Sequence, residues 1–304
     1  MPRRVVAIVV RELACDLVRQ RMPGVPASLA VILEPGALPG AGAHPSLPAP
    51  SSGEVPVTAT LDVVSDAARR YGVRPGQKVT EATALTTGLA IHRVTTAEID
   101  AALGRIAEVA LALGTTAAIR LDHQAAHGDT VWLDITGAAH LFGGEEALAV
   151  ELHERVAALG HRARVAVASG PRVAQALARH AAVTAGVGNI SRMCTVVAEG
   201  NEAAAMAPLP VYALPVDAEV ASFLVRVGVL TIGGLARLPR AAAAARLSAA
   251  GKSGAAAAGL ALAVAAGVDP SPLVVYEPAR ELEEATAFEE PVESTEALLF
   301  VLRG

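Results

Sequence analysis

The sequence predicts a mixed α+β protein that is built from several sub-domains. Strand-like and helix-like segments alternate from residue 5 to residue 182, and two strand candidates near the middle are joined only by the hairpin-like segment HQAAHGD. After Pro215 the pattern changes to short helices and tight turns. A chain of 304 residues exceeds what one hydrophobic core usually covers, so we expect roughly two to four sub-domains.

Apolar periodicity and the positions of capping and breaking residues predict the individual elements. The predicted strands are residues 5–10, 27–33, 117–122, 130–135 and 163–168. The predicted helices are residues 13–21, 61–71, 96–113, 145–159 and 171–182. Thr95 and Glu98 form a capping box ahead of the third helix, and Pro171 occupies the favoured first position of the fifth. Residues 35–53 are rich in Pro, Gly, Ala and Ser and predict a surface loop.

Residues 219–238 predict a helix-hairpin-helix around the turn VGVLTIGG. Glycines in such a hairpin allow a tight turn whose backbone N–H groups point at one phosphate, which positions a nucleic acid without reading its sequence. The predicted contacts are Gly228, Thr231, Gly233 and Gly234. An ordinary helical connector is the alternative. Residues 253–266 predict a buried helix, and residues 269–280 predict an extended linker before a last segment, residues 281–304.

Composition excludes some classes of function. The net charge of −5 argues against a protein that coats nucleic acid nonspecifically, but it leaves local contact with DNA open. No apolar run approaches the ~20 residues of a membrane span, and the N-terminal run is too short for a signal peptide. Cys15 and Cys194 match neither a disulfide framework nor a zinc-binding spacing. We therefore expect a cytoplasmic protein that makes no contact with membranes.

Four segments, in this order, resemble Y-family (translesion) DNA polymerases. They are YGVRPGQKVTEATAL (residues 71–85), WLDITGAAHLFGGE (residues 132–145), VAVASGPRVAQALARHA (residues 165–181) and FLVRVGVLTIGGLARLP (residues 223–239). The second segment is the most specific, and it resembles the ImuB branch of the family more than the active polymerases. Together the four segments extend over nearly the whole chain.

The resemblance implies a right-hand architecture of palm, fingers, helical thumb and partial little finger. The implied bounds are residues 1–20 and 87–205 for the palm, 21–86 for the fingers, 206–268 for the thumb, 269–280 for the linker and 281–304 for the start of the little finger. The clamp-binding and partner-binding segments of the family lie beyond the little finger. We therefore expect a chain that is truncated at its C-terminal end or is a fragment.

The resemblance also implies where a catalytic metal site would lie. Active members place one Asp on the first strand and an Asp-Glu pair on the central hairpin, where the carboxylates hold two divalent metals. Carried over position by position, these ligands fall on Val9, Asp129 and Thr130. Two of the three positions therefore carry no carboxylate, and no catalytic residue, metal or cofactor is predicted.

The positions that contact the triphosphate in the family are depleted as well. The Tyr and Arg of the fingers fall on Asp66 and Arg69, the Lys of the palm helix falls on Ala176, and Arg172 is the nearest cation to that last position. Arg69 and Arg172 are thus the predicted phosphate or DNA contacts outside the hairpin. The aromatic residue that packs against the incoming sugar falls on Ala14.

We therefore expect a non-catalytic homologue that acts as an adaptor in damage-induced mutagenesis. The resemblance implies the following partners: damaged primer–template DNA, an error-prone replicative-type polymerase, a RecA-like accessory protein and the sliding clamp. One alternative is an active low-fidelity polymerase that uses Mg²⁺ on shifted ligands such as Glu12 and Asp129, and another is a DNA-binding helix-hairpin-helix module. A separate metal site at Asp122, His123, His127 and Asp129 is less favoured than a solvated hairpin tip.

Overall fold

A computed structural model describes residues 3–35, 55–121, 128–180 and 193–278. Its strands are β1 Val5–Val9, β2 Leu29–Glu34, β3 Val63–Val64, β4 Ala90–Thr95, β5 Thr116–Ala118, β6 Thr130–Asp134, β7 Arg164–Ala168 and β8 Cys194–Val196. Its helices are α1 Leu13–Arg21, α2 Asp66–Arg70, α3 Val79–Leu85, α4 Thr96–Leu111, α5 Glu145–Ala158, α6 Pro171–His180, α7 Glu202–Met206, α8 Ala218–Arg226, α9 Ile232–Ala236, α10 Arg240–Ala249 and α11 Lys252–Ala265.

Strand β1 is the centre of a five-stranded sheet with the order β5-β6-β1-β7-β8. It pairs antiparallel with β6 on one side and with β7 on the other, and all five of its residues are fully buried. Val5, Ala7 and Val9 face one hydrophobic core with α6, whereas Val6 and Ile8 face a second core with α1, α4 and α5. Because both faces are covered, the strand is apolar at every position instead of alternating.

A smaller sheet has the order β3-β2-β4, in which β2 and β4 run parallel. A third core, which includes Ala30, Leu61 and Val64, lies against this small sheet. Strand β4 leads directly into α4, where the predicted capping box is confirmed: the Thr95 side chain accepts from the Glu98 N–H and the Glu98 side chain from the Thr95 N–H.

The predicted helix over residues 61–71 is wrong in its first half. Residues 63–64 form strand β3 against β2, and the helix begins only after Ser65, whose hydroxyl accepts a hydrogen bond from the Ala68 N–H. Strand β4 also pairs with β2, so residues 90–95 belong to the small sheet. Neither pairing is visible in local sequence, because each joins segments that are far apart along the chain.

The other predicted elements agree with the structure to within a few residues. The central hairpin is confirmed, with Ala118 opposite Trp132, although β5 is shorter than predicted. The sequence pattern does not predict strands β4 and β8 or helices α3, α7 and α10. Almost all of the predicted loop at residues 35–53, the tip at 122–127 and the segment 281–304 lie outside the described residues.

Residues 206–268 form a region of short helices that packs on the α6 side of the large sheet. Its N-terminal part is close-packed on Gly233, where a Cβ would lie 2.9 Å from the Ala207 carbonyl oxygen. The extended segment that follows runs along the edge of β5, where the Val274 N–H donates to the Arg120 carbonyl (3.4 Å) and the Tyr276 N–H to the Ala117 carbonyl (2.8 Å). No helix in the described ranges is long and apolar enough to cross a membrane.

Two glycines of α11 test the close packing of α10 against α11. A Cβ at Gly254 would lie 2.1 Å from the Leu247 carbonyl oxygen, whereas a Cβ at Gly259 has no neighbour within 4 Å. We expect Gly254→Ala to lower the free energy of unfolding by about 1–3 kcal/mol through overpacking. Gly259→Ala should raise it by up to about 1 kcal/mol, because alanine favours the helix. Urea unfolding monitored by circular dichroism measures both, and equal effects would contradict the described helix contact.

Candidate functional site

Val9 and Thr130 lie directly opposite each other at one end of the large sheet. They are register partners in the β1–β6 pair, and both are fully buried. Val9 is also the partner of Arg164 on β7, so the three side chains form one row across the sheet. The structure therefore brings together two of the three positions that the resemblance singles out, at the carboxyl end of β1.

Asp129 is held at the same end, immediately before β6. Its backbone carbonyl accepts a hydrogen bond from the Val10 N–H at 2.7 Å, which continues the β1–β6 pairing by one step. Its carboxylate accepts a hydrogen bond from the Thr130 hydroxyl at 2.9 Å and forms an ion pair with the Arg179 guanidinium. Asp129 carries the one carboxylate among positions 9, 129 and 130, and this carboxylate is thus paired with a cation of the protein itself.

Helix α6 supplies the groups that cover this end of the sheet. Gln175 donates to the Thr130 hydroxyl at 3.1 Å, and Arg179, one helical turn later, pairs with Asp129. The alignment to the family did not single out either residue. Their spacing of four places both on one face of a helix that was predicted correctly, and this spacing is the signal that could have found them.

The electrostatics of this region are dominated by arginine. Burial and the nearby charges of Arg179, Arg11 and Arg164 lower the pKa of His180 to about 4, although Asp129 opposes the shift. Burial and the charge of Arg11 also lower the pKa of Arg164. Burial is the larger cause of both shifts, and the arginine charges add to it because these positive groups lie close together. Such a cluster is unfavourable for a bound metal cation.

The two acids that follow β1 are engaged elsewhere. Glu12 and Asp16 are buried and bind Arg19 at 2.9 and 2.8 Å, and Glu12 also accepts a hydrogen bond from the Asp66 N–H at 2.7 Å. Cys15 lies between these two acids in the sequence. Burial and the charge of Glu12 raise the pKa of its thiol to about 12, so this cysteine is not a reactive thiolate.

A cavity of about 410 Å³ lies between the large and the small sheet at this end. Three arginines, Arg11, Arg69 and Arg179, and two aspartates, Asp62 and Asp129, are among its lining residues, together with Ala14. The Asp62 carboxylate accepts a hydrogen bond from the Leu33 N–H at 2.7 Å. Next to the cavity, the exposed Asp66 carboxylate lies 3.3 Å from the Arg11 guanidinium and 4.0 Å from that of Arg69.

The predicted contacts Arg172 and Ala176 lie on α6 beside a second, smaller cavity of about 190 Å³. The Arg172 guanidinium donates to the Ser271 hydroxyl at 2.9 Å, and its backbone N–H donates to the Asp269 carboxylate. Both contacts fasten the start of the extended segment to the first turn of α6, which gives Arg172 a structural role.

The hairpin between α8 and α9 has the predicted tight turn, with Gly228 at φ +85°, but its glycine amides face inwards. The N–H groups of Gly228 and Gly233 donate to the carbonyls of Val225 and Ala207, and that of Gly234 donates to the Thr231 hydroxyl. A phosphate contact through these three amides is therefore not available in this conformation. They are occupied because the turn caps α8 and α9 and packs against residue 207.

The sequence and fold were compared with known proteins. A family model described as IMS, the impB/mucB/samB family, matches residues 50–179. Two curated relatives, both Protein ImuB of Caulobacter vibrioides (strains NA1000 / CB15N and ATCC 19089 / CIP 103742 / CB 15), are 35% identical over 230 residues. The aligned region covers 75% of this chain and 44% of each relative, so the chain spans less than half of their length.

Solved structures show the same relationship at the level of the fold. An insertion ternary complex of Dbh DNA polymerase aligns with a TM-score of 0.63 and 15% identity, over 89% of this chain and 69% of that one. The crystal structure of DinB from Sulfolobus solfataricus aligns with a TM-score of 0.57 and 14% identity, over 88% and 69%. The chain contains a Y-family domain. Its mixed α/β fold is that of Y-family polymerases, and its sequence is similar to ImuB.

The Y-family signature around Trp132 is explained by packing. Trp132 is buried on β6, and its indole N–H donates to the Pro171 carbonyl at 3.0 Å, which joins the sheet to the start of α6. Asp134 accepts hydrogen bonds from the Thr136 N–H at 2.9 Å and from Arg3 at 2.8 Å. These contacts lower the pKa of Asp134 although burial opposes ionisation. Asp134 therefore has a structural role at the end of β6.

Three members of the predicted His and Asp cluster, Asp122, His123 and His127, lie outside the described residues. Within the ranges that the structure does describe, no group of three or more His, Cys, Asp or Glu side chains could hold a metal ion.

A double-mutant cycle tests the Asp129–Arg179 ion pair. We expect a coupling energy of about 1–2 kcal/mol for Asp129→Ala with Arg179→Ala, because the pair is partly buried and shares Thr130. The matched cycle uses Glu151 and Arg155, a more exposed pair within α5 at 2.7 Å, and should give about 0.3–0.5 kcal/mol. Chemical unfolding measures both, and equal coupling energies would mean that the site pair is an ordinary surface contact.

The lowered pKa of His180 predicts a pH dependence of stability. The unfolded chain binds a proton near pH 6.5, but the folded protein does so only near pH 4, so the folded state loses stability as the pH falls through this window. His180→Asn should therefore lose less stability than the parent protein between pH 6.5 and pH 4. Thermal unfolding across this range measures the difference, and parallel curves for the two proteins would refute the expected proton linkage.

Proposed function

We propose that this protein is a non-catalytic Y-family homologue that acts as an adaptor in DNA-damage tolerance and mutagenesis. The observation that carries the proposal is the environment of Asp129. Its neighbours across the strand end are Val9 and Thr130, and its carboxylate is paired with Arg179. In the proposed role the protein contributes the fold and its surfaces, while a recruited error-prone polymerase performs the synthesis.

Two-metal nucleotidyl transfer needs a site that the described residues do not provide. Mg²⁺ requires several hard oxygen ligands with enough negative charge to offset its own. Valine has no donor atom, the Thr130 hydroxyl is hydrogen-bonded to Asp129 and Gln175, and the remaining carboxylate already binds a guanidinium. The residues therefore do not fit the metal pair that the family implies, and we assign no catalytic step to them.

The competing function, an active polymerase with shifted ligands, would require Glu12 to serve as a metal ligand. Glu12 is 9% exposed, binds Arg19 and accepts a hydrogen bond from the Asp66 N–H. Releasing it would remove one of the two carboxylates that bind Arg19 and would uncap the start of α2. These contacts argue against Mg²⁺ on Glu12 and Asp129, and they favour the non-catalytic role.

The proposed architecture assigns the palm to the large sheet, the fingers to the small sheet and the thumb to residues 206–268. In this assignment the fingers extend to Thr95, because β4 belongs to the small sheet. The segment from residue 269 is the linker, and the little finger would begin after it. Support for DNA as a partner comes from the fold, since the structural neighbours include a ternary complex of a DNA polymerase.

The remaining partners follow from the relationship to ImuB alone. We propose an error-prone replicative-type polymerase, a RecA-like accessory protein and the sliding clamp as partners in the nucleoid. The candidate surface for binding DNA is the hairpin between α8 and α9, because Val227 and Leu230 are exposed at its tip. Its contact would use these side chains and the turn as a whole, since the amides of Gly228, Gly233 and Gly234 are occupied.

A primer-extension assay tests the absence of catalysis. With primer–template DNA and either Mg²⁺ or Mn²⁺, we expect no added nucleotides, because the metal ligands at positions 9 and 130 are missing. Fluorescence anisotropy of the same labelled DNA, measured over a range of salt concentrations, shows whether the protein binds it through phosphate contacts. An active Y-family polymerase serves as the positive control. Nucleotide addition that is abolished by Asp129→Ala would contradict the proposal.

A further inference from the structure

Residues 269–276, which we call the strap, cross the edge of the large sheet beside β5. Leu273 enters the core on the α6 face of the sheet, whereas Tyr276 packs against the core on the α4 face. Two backbone hydrogen bonds, from the Val274 and Tyr276 N–H groups, hold the strap along this edge. The strap therefore contacts both faces of the sheet.

The first anchor of the strap is the start of α6. The Asp269 carboxylate accepts a hydrogen bond from the backbone N–H of Arg172, the second residue of the helix, and another from the Ser271 N–H at 3.0 Å. Gly170, just before the helix, has no side chain that could cap it, and a Cβ there would lie 2.6 Å from the Asp269 Cβ. Asp269 thus acts as the N-cap of α6 from 97 residues away along the chain.

The second anchor of the strap is α4. The Tyr276 hydroxyl donates to the Glu108 carboxylate at 3.1 Å, and its ring lies against Gly104. A Cβ at Gly104 would lie 2.7 Å from the Tyr276 hydroxyl oxygen. Glycine inside a helix costs about 1 kcal/mol relative to alanine, and the close approach of Tyr276 accounts for it here.

Between the two anchors the strap is held weakly. Pro270 and Pro272 have no N–H, which restricts backbone pairing in this stretch. The hydrogen bond from the Val274 N–H is long, at 3.4 Å, and the Val275 side chain is exposed. Segments with few buried apolar contacts open at a lower free energy than the core of a sheet. These features favour release of the strap without unfolding of the large sheet.

Helix α6 connects the strap to the end of β1. Arg172 and Arg179 are two turns apart on the same face of the helix. The Arg172 guanidinium donates to Ser271 of the strap, and that of Arg179 pairs with Asp129. A change at the first turn of α6 therefore acts on the helix that covers the strand end.

We propose that the strap is a releasable conformational device that sets the position of α6 over the end of β1. In the docked state Asp269 caps α6 and Tyr276 covers Gly104. In the released state the first turn of α6 frays, the edge of β5 is uncovered, and the ion pair between Asp129 and Arg179 is weakened.

The strap lies between two segments that can bias this equilibrium. Residues 206–268 precede it and residues 279–304 follow it in the sequence. A binding event that favours one position of either segment shifts the balance between the docked and the released strap. This device goes beyond the proposed adaptor role and does not depend on it.

Amide hydrogen exchange of the whole protein, resolved along α6 by mass spectrometry, tests the first anchor. Asp269→Ala should speed exchange in the first turn of α6 about fivefold, which is the effect of losing one helix N-cap. Asp269→Asn should stay near the parent rate, because asparagine caps a helix as well as aspartate does. Trp132 is the single tryptophan and donates to the Pro171 carbonyl, so its fluorescence should change with Asp269→Ala and provides a second readout.

The decisive variant is Gly104→Ala, because it lies on α4 and contacts the strap at the other anchor. It should displace Tyr276 and thereby speed exchange in α6 about twofold to fivefold, although alanine favours its own helix. Combined with Asp269→Ala, it should add little, because both substitutions release the same strap. Gly259→Ala is the matched control: it also places alanine in a helix, but with no neighbour within 4 Å, and it should leave α6 unchanged.

The contrary results are distinguishable. Faster exchange in Gly104→Ala that is confined to α4 and the strap would refute the coupling to α6 and would leave the adaptor role intact. Equal rates for Asp269→Ala and Asp269→Asn would reject the capping role, and additive effects of Asp269→Ala and Gly104→Ala would reject a single strap. Faster exchange in β1 as well would contradict release while the large sheet stays folded.

Discussion

Complete burial of strand β1 is the constraint on which the rest of this structure depends. The strand pairs on both edges and is covered on both faces, so none of its five residues has access to water. A carboxylate at position 9 would be charged and buried, which costs several kcal/mol unless a cation compensates it. Valine at this position is therefore the stable choice for a strand end that holds no metal.

The same constraint explains Arg179. Asp129 lies at the rim of the buried row, where its carboxylate is less exposed than a surface side chain. An unpaired charge at such a position raises the free energy of the folded state. Arg179 and the Thr130 hydroxyl remove that penalty from within the chain, and Gln175 completes the hydrogen bonding of Thr130. Val9, Thr130 and Arg179 thus form one consistent set, in which internal contacts stabilise this end of the large sheet.

The pairing of Asp129 with Arg179 bears on the function that this end of the large sheet can have. In the proposed non-catalytic role, a site whose carboxylate is neutralised by an arginine does not favour the divalent cations that nucleotidyl transfer needs. The contact from Trp132 to Pro171, which joins the large sheet to the start of α6, involves none of the positions 9, 129 and 130. The proposed adaptor role needs only this fold and its surfaces, because the synthesis is assigned to a recruited polymerase.

Local sequence determined the elements whose signals are local. The unbroken apolar run predicted β1, the Thr95–Glu98 capping box placed the start of α4, and the motif around Trp132 identified the family. The sequence also shows that positions 9 and 130 carry no carboxylate, because residue type is a property of the sequence itself. That Val9 lies directly opposite Thr130 is given by the strand register of the structure.

Tertiary structure alone decided the contacts that join distant segments. Residues 90–95 form β4 because they pair with β2 in the small sheet. Residues 63–64 form β3 against the same strand, although the local pattern predicts a helix there. The packing of α6 over the strand end brought Arg179 to Asp129, and the packing of the hairpin turned its glycine amides inwards. These contacts depend on which surfaces meet in the folded chain, and residue type and local spacing do not contain that information.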